Sequence, residues 1–240
     1  MPATRKTDIP HQETNLSERS YHFLREQLSS GKLQPGDQLV NRTLAKEIGV
    51  SIVPIREAIN RLSSEGLVER VPGAGAFVRK LDAQDLDNLY VLRDALESCA
   101  AAEAARYINE LELEELHDIL KEAQAIAEKL TNQSRGHATK AQMEAWLSTE
   151  KRFHSLLIEA SRNSLLARVA GEHHAISQIF DSQRTVPELL TAKVATLTCS
   201  GKKSLLAALK RRDHAKARDL MSAQIQRGRK RVLQLYRKSQ

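Results

Sequence analysis

The sequence is poor in cysteine and has no long apolar run. Its two cysteines, Cys99 and Cys199, lie far apart and form no C-x-x-C pair, which argues against a disulfide framework or a thiolate zinc site. We expect both to be small apolar residues. No run of about 18 apolar residues is present, and residues 1–13 lack the apolar segment of a signal peptide. We therefore expect a globular cytoplasmic protein with no membrane partner.

The charged residues are unevenly distributed, so that one segment has few acidic residues and another has few basic residues. Residues 201–240 hold 13 Lys or Arg and 2 Asp or Glu, whereas residues 82–130 hold 4 Lys or Arg and 13 Asp or Glu. Two interpretations stay open for the basic segment: it packs against the acidic segment, or it contacts DNA phosphates. The 240 residues suffice for two domains of ordinary size.

Three short helices are predicted near the N-terminus. Apolar residues at spacings of three and four predict a helix over residues 17–30. Asn41 is a candidate N-cap for a second helix, which Gly49 would close. Ser51 would cap a third helix, which Gly66 would end. Two short helices joined by a glycine-containing turn are typical of a helix-turn-helix, in which the second helix reads the DNA major groove.

A β-hairpin is predicted after these helices, followed by helices alone. Residues 67–71 and 76–79 alternate as strands do, and the Pro-Gly-Ala-Gly sequence between them favours a hairpin loop. We expect a winged helix-turn-helix domain over residues 10–80 and a linker over 81–84. The rest, residues 85–240, is predicted to be an all-α helical bundle. Its expected helices are 85–107, 112–130, 141–160, 163–183, 187–199 and 202–236, with a break at residues 200–201.

These patterns resemble the GntR family of bacterial regulators. Residues 31–39 read GKLQPGDQL, and residues 44–78 read LAKEIGVSIVPIREAINRLSSEGLVERVPGAGAFV. The segments LRDALESCAAAEAA (92–105) and FHSLLIEASRNSLL (153–166) are similar to the FCD domain of its FadR-like branch. The resemblance implies a mainly α protein whose helical domain binds an effector and dimerises. It also implies that a homodimer binds an inverted-repeat operator in double-stranded DNA.

The resemblance and the helix-turn-helix geometry together predict DNA contacts. Arg56 can donate two hydrogen bonds to a guanine, which is worth about 1–3 kcal/mol of discrimination. Ser51 can bind a phosphate through its hydroxyl and amide. The family places Arg42 at DNA as a second guanidinium, and Gly73 in the wing would allow close approach to the minor groove. The alternative for each arginine is a polar contact at the surface, for Arg56 with Glu57 or Asn60.

One departure from the family concerns the start of the reading helix. Many relatives carry Arg and Thr after the G-V-S turn, whereas this chain has Ile52 and Val53. Neither side chain can donate to a base acceptor, but both can contact a thymine methyl group. We expect these two residues to face DNA and to alter or relax the central specificity.

A second departure concerns a divalent metal. The branch commonly holds one with a carboxylate or amide residue, a histidine four residues later, and two histidines on the last two helices. Glu150 and His154 match the first pair, but Lys202 and Gln224 stand at the other two positions. A lysine ammonium has no lone pair and a glutamine amide is a weak ligand. We therefore expect no metal cofactor, and we expect the Lys202 ammonium to pair with Glu150.

The effector implied by the resemblance is a small carboxylate in the centre of the bundle. Arg93 could clamp it with two hydrogen bonds, and the alternative is an ion pair with Glu97 one helical turn away. His154 would face the same cavity, unless it is a structural histidine. His173 and His174 could supply replacement metal ligands, and His174 is also a candidate effector contact.

We expect a regulator whose operator binding changes when the effector shifts its conformational population. We expect a repressor that leaves its operator when the effector binds, although the sequence leaves activation open. One alternative is an enzyme that uses the Glu150 and His154 site. Another is a DNA-binding protein that takes no ligand.

Overall fold

The computed structural model describes residues 11–80, 82–171 and 187–238. They form two compact units, residues 11–80 and residues 82–238 without the gap. Helices dominate both units, and one two-stranded antiparallel sheet lies in the first. The predicted fold class is therefore confirmed. None of the described helices is long and apolar enough to cross a membrane.

The first unit is a three-helix cluster with a hairpin. In chain order its elements are α1 (His11–Ser29), α2 (Asn41–Ile48), α3 (Ile52–Ser64), β1 (Val68–Val71) and β2 (Gly75–Val78). The strands are antiparallel, with Val68 opposite Val78. The apolar faces of α1 and α3 supply much of the buried core, through Leu24, Leu28, Ile55, Ile59 and Leu62.

The turn between α2 and α3 differs in its caps from the prediction. Gly49 ends α2 in the left-handed region at φ 70°, as expected of a C-terminal glycine. Asn41 is not an N-cap, because the helix already begins at Asn41 and Val40 holds the cap position. Ser51 holds the N-cap position of α3 in an extended conformation, but its hydroxyl makes no capping hydrogen bond.

A buried tyrosine fastens α1 to α3. The hydroxyl of Tyr21 donates to Glu65 at 2.7 Å and accepts from Arg25 at 2.9 Å. The Arg61 guanidinium lies 3.6 Å from the centre of the Tyr21 ring and also donates to Glu18 at 2.7 Å. Burial raises the pKa of Tyr21, and the Glu65 carboxylate raises it further. These contacts hold the helix that carries Arg56 against the rest of the unit.

The second unit contains only helices among its described residues. They are α4 (Ala83–Tyr107), α5 (Glu110–Asn132), α6 (Lys140–Ala160), α7 (residues 164–171), a 3-10 turn (Pro187–Leu189), α8 (Ala192–Lys210) and α9 (His214–Lys238). Because α4 begins at Ala83, two of the four residues predicted as linker are helical. The rest of the helix predicted over 163–183, with His173 and His174, lies outside the described residues.

Capping boxes set where the long helices of the second unit begin. The side chain of Asp82 accepts from the amide of Asp85 at α4, and Thr139 accepts from Gln142 at α6. In each case the later side chain returns a bond to the backbone of the cap residue. Asn109 and Glu112 form the same arrangement at α5.

The break predicted at residues 200–201 is wrong. Helix α8 runs through Gly201 to Lys210, and the chain turns at residues 211–213 instead. A Cβ at Gly201 would lie 3.3 Å from the Gln224 side chain and 3.2 Å from that of Arg227. The glycine therefore serves close packing of α8 on α9 rather than ending a helix. Spacing alone could not distinguish these two uses.

The basic C-terminal helix packs on the acidic first helix of this unit. Arg229 on α9 donates two hydrogen bonds to Asp87 on α4, each at 2.6 Å. Gln226 and Ser222 donate to Asp94 at 2.6 and 3.1 Å. These contacts match the interpretation in which the basic segment packs against the acidic segment.

The expectation for the cysteines is wrong in part, since Cys199 is buried but Cys99 is exposed.

The tyrosine contact yields a stability prediction. Tyr21→Phe removes the hydroxyl that bonds Glu65 and Arg25, so we expect a loss of about 1–2 kcal/mol in the free energy of unfolding of the first unit. Urea denaturation of the full chain, followed by circular dichroism, measures it. Tyr107→Phe is the matched control, because Tyr107 is 52% exposed. Equal stability of the two variants would show that the Tyr21 hydroxyl does not stabilise the unit.

Candidate functional sites

The start of α3 and the facing part of α2 expose polar and apolar side chains together. Ser51, Arg56 and Arg42 are exposed, Val53 is 56% exposed, and Ile52 is half-buried. Pro54 and Ile55, which lie between Val53 and Arg56 in the sequence, are buried and anchor the helix. The structure thus brings five predicted DNA contacts onto one helix-turn-helix.

Neither predicted DNA-binding arginine is occupied by a neighbour. Across residues 11–80, the structure gives Arg42 and Arg56 no hydrogen bond or ion pair. The predicted alternative, an Arg56–Glu57 pair, is not formed, because Glu57 accepts from Ser17 on α1. Both guanidinium groups can therefore bind a phosphate or a base without first breaking a contact.

The hairpin is tied to the reading helix by contacts that the sequence did not indicate. Arg70 on β1 donates to the side-chain oxygen of Asn60 on α3. Gln38 donates to the carbonyl oxygen of Ala74 at the tip of the hairpin at 2.7 Å. Gly73 is exposed at that tip with φ 76°, a conformation that favours glycine. The hairpin is therefore held in place with its tip open.

A cluster of charged side chains lies in the core of the second unit. Its members come from three helices: Arg93 and Glu97 from α4, Glu150 and His154 from α6, and Lys202 from α8. The side chain of Gln224 on α9 lies beside Gly201, the residue before Lys202. Glu97, His154 and Lys202 are buried, with 3%, 5% and 1% of their surface exposed. The side chains of Arg93 and Glu150 are 20% and 23% exposed, so the cluster reaches the surface at both.

Each carboxylate of the cluster has a fixed cation beside it. Arg93 donates through Nε to Glu97 Oε1 at 2.6 Å, so the predicted pair one helical turn apart is present. The ion pair predicted between Lys202 and Glu150 is also present, with Nζ 2.8 Å from Oε1. Burial alone would raise the pKa of Glu150, but the Lys202 ammonium and then His154 lower it to about 2.

His154 lies between the two carboxylates. Its Nδ1 contacts Glu97 Oε2, and its Nε2 lies 3.8 Å from Glu150 Oε2 and 3.5 Å from an Arg93 nitrogen. Burial alone would lower the pKa of His154, but Glu97 and then Glu150 raise it above its usual value. Burial likewise opposes ionisation of Glu97, yet Arg93 and His154 hold the pKa of Glu97 well below its usual range.

Lys202 has a second partner that spacing did not reveal. Its Nζ lies 4.1 Å from the centre of the Phe153 ring, where an aromatic face attracts a cation. Phe153 itself is fully buried. The sequence placed Phe153 beside His154 but gave no signal that its ring would meet a lysine from α8.

The residues of this cluster do not fit a divalent metal ion. Glu150 and His154 offer one oxygen and one nitrogen, but the Lys202 ammonium already contacts Glu150. The buried Gln224 Nε2 is a donor, not a ligand, and has no acceptor in the described part of the protein. Among the residues that the structure describes, no group of three or more His, Cys, Asp or Glu could hold a metal.

Comparisons with known proteins match both units. Residues 16–78 match the bacterial regulatory proteins of the gntR family, and residues 88–227 match the FCD domain. The HTH-type transcriptional regulator McbR of Escherichia coli K12 is 33% identical over 129 residues, 54% of this chain and 57% of that protein. The Nta operon transcriptional regulator of Aminobacter aminovorans is 32% identical over 149 residues, 62% and 60% of the two chains. The chain thus spans about three fifths of these relatives.

Solved structures share the fold over a longer stretch. E. coli McbR/YncC superposes with a TM-score of 0.64 at 25% identity, covering 94% of this chain and 99% of that one. A GntR regulator from Rhodococcus sp. RHA1 gives a TM-score of 0.68 at 18% identity, covering 91% and 98%. The second similarity supports the fold alone.

The environment of His154 predicts a pH dependence of stability. Because its pKa is raised in the folded protein, the contribution is fully present below the unfolded value of about 6.5 and is lost as pH rises through the folded pKa. In the wild type we expect the melting temperature to fall as pH rises from about 6 to about 9, a range that begins near the unfolded pKa of about 6.5. His154→Gln should flatten that fall. The exposed His214→Gln is the matched control. A wild-type slope in His154→Gln would contradict the raised pKa.

Proposed function

Since the chain belongs to the GntR family of bacterial regulatory proteins and carries its FCD domain, we propose that it is a DNA-binding transcriptional regulator controlled by a small molecule. The observation that carries the proposal is the helix-turn-helix whose two arginines, Arg42 and Arg56, are exposed and unpaired within the described first unit. Unpaired guanidinium groups on a reading helix and its neighbour suit a polyanion.

The exposed residues suggest a division of work at the operator. Arg56, one turn into α3, is the proposed base reader, since a planar guanidinium can bond both acceptors of guanine. Arg42 and Ser51 would bind phosphates and set the register. The half-buried Ile52 and the exposed Val53 would contact a thymine methyl. Gly73, at the open tip of the hairpin, would follow the minor groove.

We propose that two copies bind together on an inverted repeat. A single helix-turn-helix covers only one half-site, and a two-fold dimer places two reading helices about 34–36 Å apart, one turn of DNA. The operator then mirrors the symmetry of the protein. The helical second unit is the proposed seat of dimerisation.

The proposed effector is a small carboxylate bound at the buried cluster. One buried donor supports it: Gln224 Nε2 has no acceptor among the described residues. A buried donor without an acceptor costs about 1–3 kcal/mol, which a carboxylate would recover. Arg93 and His154 would complete the site, with Glu97 and Glu150 as their counter-ions.

We propose that the carboxylate releases the protein from its operator. A difference of about 1–3 kcal/mol in effector affinity between two conformations changes operator affinity about 5–150-fold. The regulator is then a repressor, and binding of the carboxylate relieves the repression. His174 remains a candidate contact of the effector.

Operator binding tests the first part of the proposal. We expect Arg56→Ala to weaken binding to the operator by about 1–3 kcal/mol, or 5–150-fold, and to relax the preference at one base pair. Arg42→Ala should weaken all sequences alike and lower the salt dependence. Fluorescence anisotropy on DNA fragments from upstream of the gene measures both. Lys140→Ala, an exposed lysine of the second unit, is the control and should bind as the wild type does.

Ligand binding tests the second part. We expect small carboxylic acids from a thermal-shift screen to raise the melting temperature and to lower operator affinity. Gln224→Met removes one buried donor without changing charge, so it should keep operator affinity but lose most of the acid-induced rise. Gln124→Met on α5 is the control. If no acid shifts the wild type while operator binding persists, the protein binds DNA without such a ligand.

A further inference from the structure

We propose that the Lys202 ammonium is the resident cation of the buried cluster, so that the second unit folds and works without a bound metal ion. This inference does not depend on the proposed effector. It assigns a definite role to a lysine that is one of the most completely buried large side chains of the protein.

The surroundings of Lys202 are those of a cation site. Its Nζ lies 2.8 Å from Glu150 Oε1 on one side and 4.1 Å from the centre of the Phe153 ring on another. A carboxylate and an aromatic face both favour positive charge. Since the residue is only 1% exposed, its charge is stable there only because these partners surround it.

The charges of the cluster need no further cation. Glu97 and Glu150 contribute two negative charges, and Arg93 and Lys202 contribute two positive charges. His154 lies between the carboxylates and adds at most one more positive charge. A divalent ion would add two positive charges beside Lys202 at low local dielectric, which is strongly unfavourable.

A metal ion could therefore enter only by displacing Lys202. A protonated ammonium offers no lone pair, and its carbon chain fills the space next to Glu150. Without that side chain, Glu150 and His154 would face an opening with one oxygen and one nitrogen ligand on the same helix face. Two protein ligands are too few for a stable zinc site, but a histidine in place of Lys202 would supply a third. Lys202→His should thus convert a site that excludes metal into one that accepts it.

The first experiment compares Lys202→His with Lys203→His in the full chain. Lys203 is the neighbouring lysine and is exposed, so its variant controls for loss of one positive charge on α8. Each protein is freed of metal with a chelator, and its melting temperature is measured with and without zinc chloride. Elemental analysis after removal of free zinc gives the zinc content per chain.

We expect chelation to leave the wild type and Lys203→His unchanged, and zinc not to raise their melting temperatures. Lys202→His should melt lower, recover part of the loss with zinc, and retain one zinc per chain. Adding Glu150→Gln to Lys202→His should abolish the recovery. A wild type that is purified with one metal per chain and loses stability on chelation would overturn the proposal. So would a Lys202→His protein that zinc does not stabilise.

A second comparison covers the case in which Lys202→His does not fold. Lys202→Met keeps the length of the side chain, and Glu150→Gln removes the charge that Lys202→Met leaves unpaired. We expect each single variant to melt well below the wild type and the double variant to recover most of the loss. Additive losses in the double variant would show that Lys202 is not the counter-ion of Glu150.

Discussion

Charge buried in a helical core must be balanced where it lies, and this constraint organises the second unit. Two carboxylates stand within the packed core, and each needs a cation within contact distance to remain ionised. Arg93 is the counter-ion of Glu97 on the same helix, whereas Lys202 on α8 is the counter-ion of Glu150 on α6. The second pairing joins two helices and so restricts how they slide past each other. Gly201, the residue before Lys202, lets α9 approach closely at the same level.

In the first unit, the corresponding constraint is that the polar residues of α1 and α3 satisfy one another. Glu57 and Arg61 on α3, and Glu65 directly after it, bond to Ser17, Glu18 and Tyr21 on α1. Arg56 does not share these contacts and has no hydrogen bond or ion pair within residues 11–80. A helix that reads DNA needs such a free guanidinium. An arginine already paired within the protein would have to lose that contact before it could bind a base.

Much of the fold was predictable because local rules act over short stretches. The G-V-S turn, the buried stripe of α3 and the Pro-Gly-rich hairpin each depend on a few neighbouring residues, and all are found. The contact of Lys202 with Glu150 was also predictable, but only through comparison with a family pattern of ligands. The start of α2 at Asn41 and the continuation of α8 through Gly201 were not. The continuation through Gly201 depends on what α9 presents to it, and the Phe153 and Arg70 contacts likewise depend on another helix.

The bond from Arg70 to Asn60 has a consequence for how the first unit meets a duplex. It ties the hairpin to the helix that carries Arg56, so the proposed major-groove and minor-groove contacts would be held at a fixed separation. A rigid separation penalises DNA whose groove widths do not match it. The unit would therefore discriminate among duplexes by shape even at base pairs that no side chain touches.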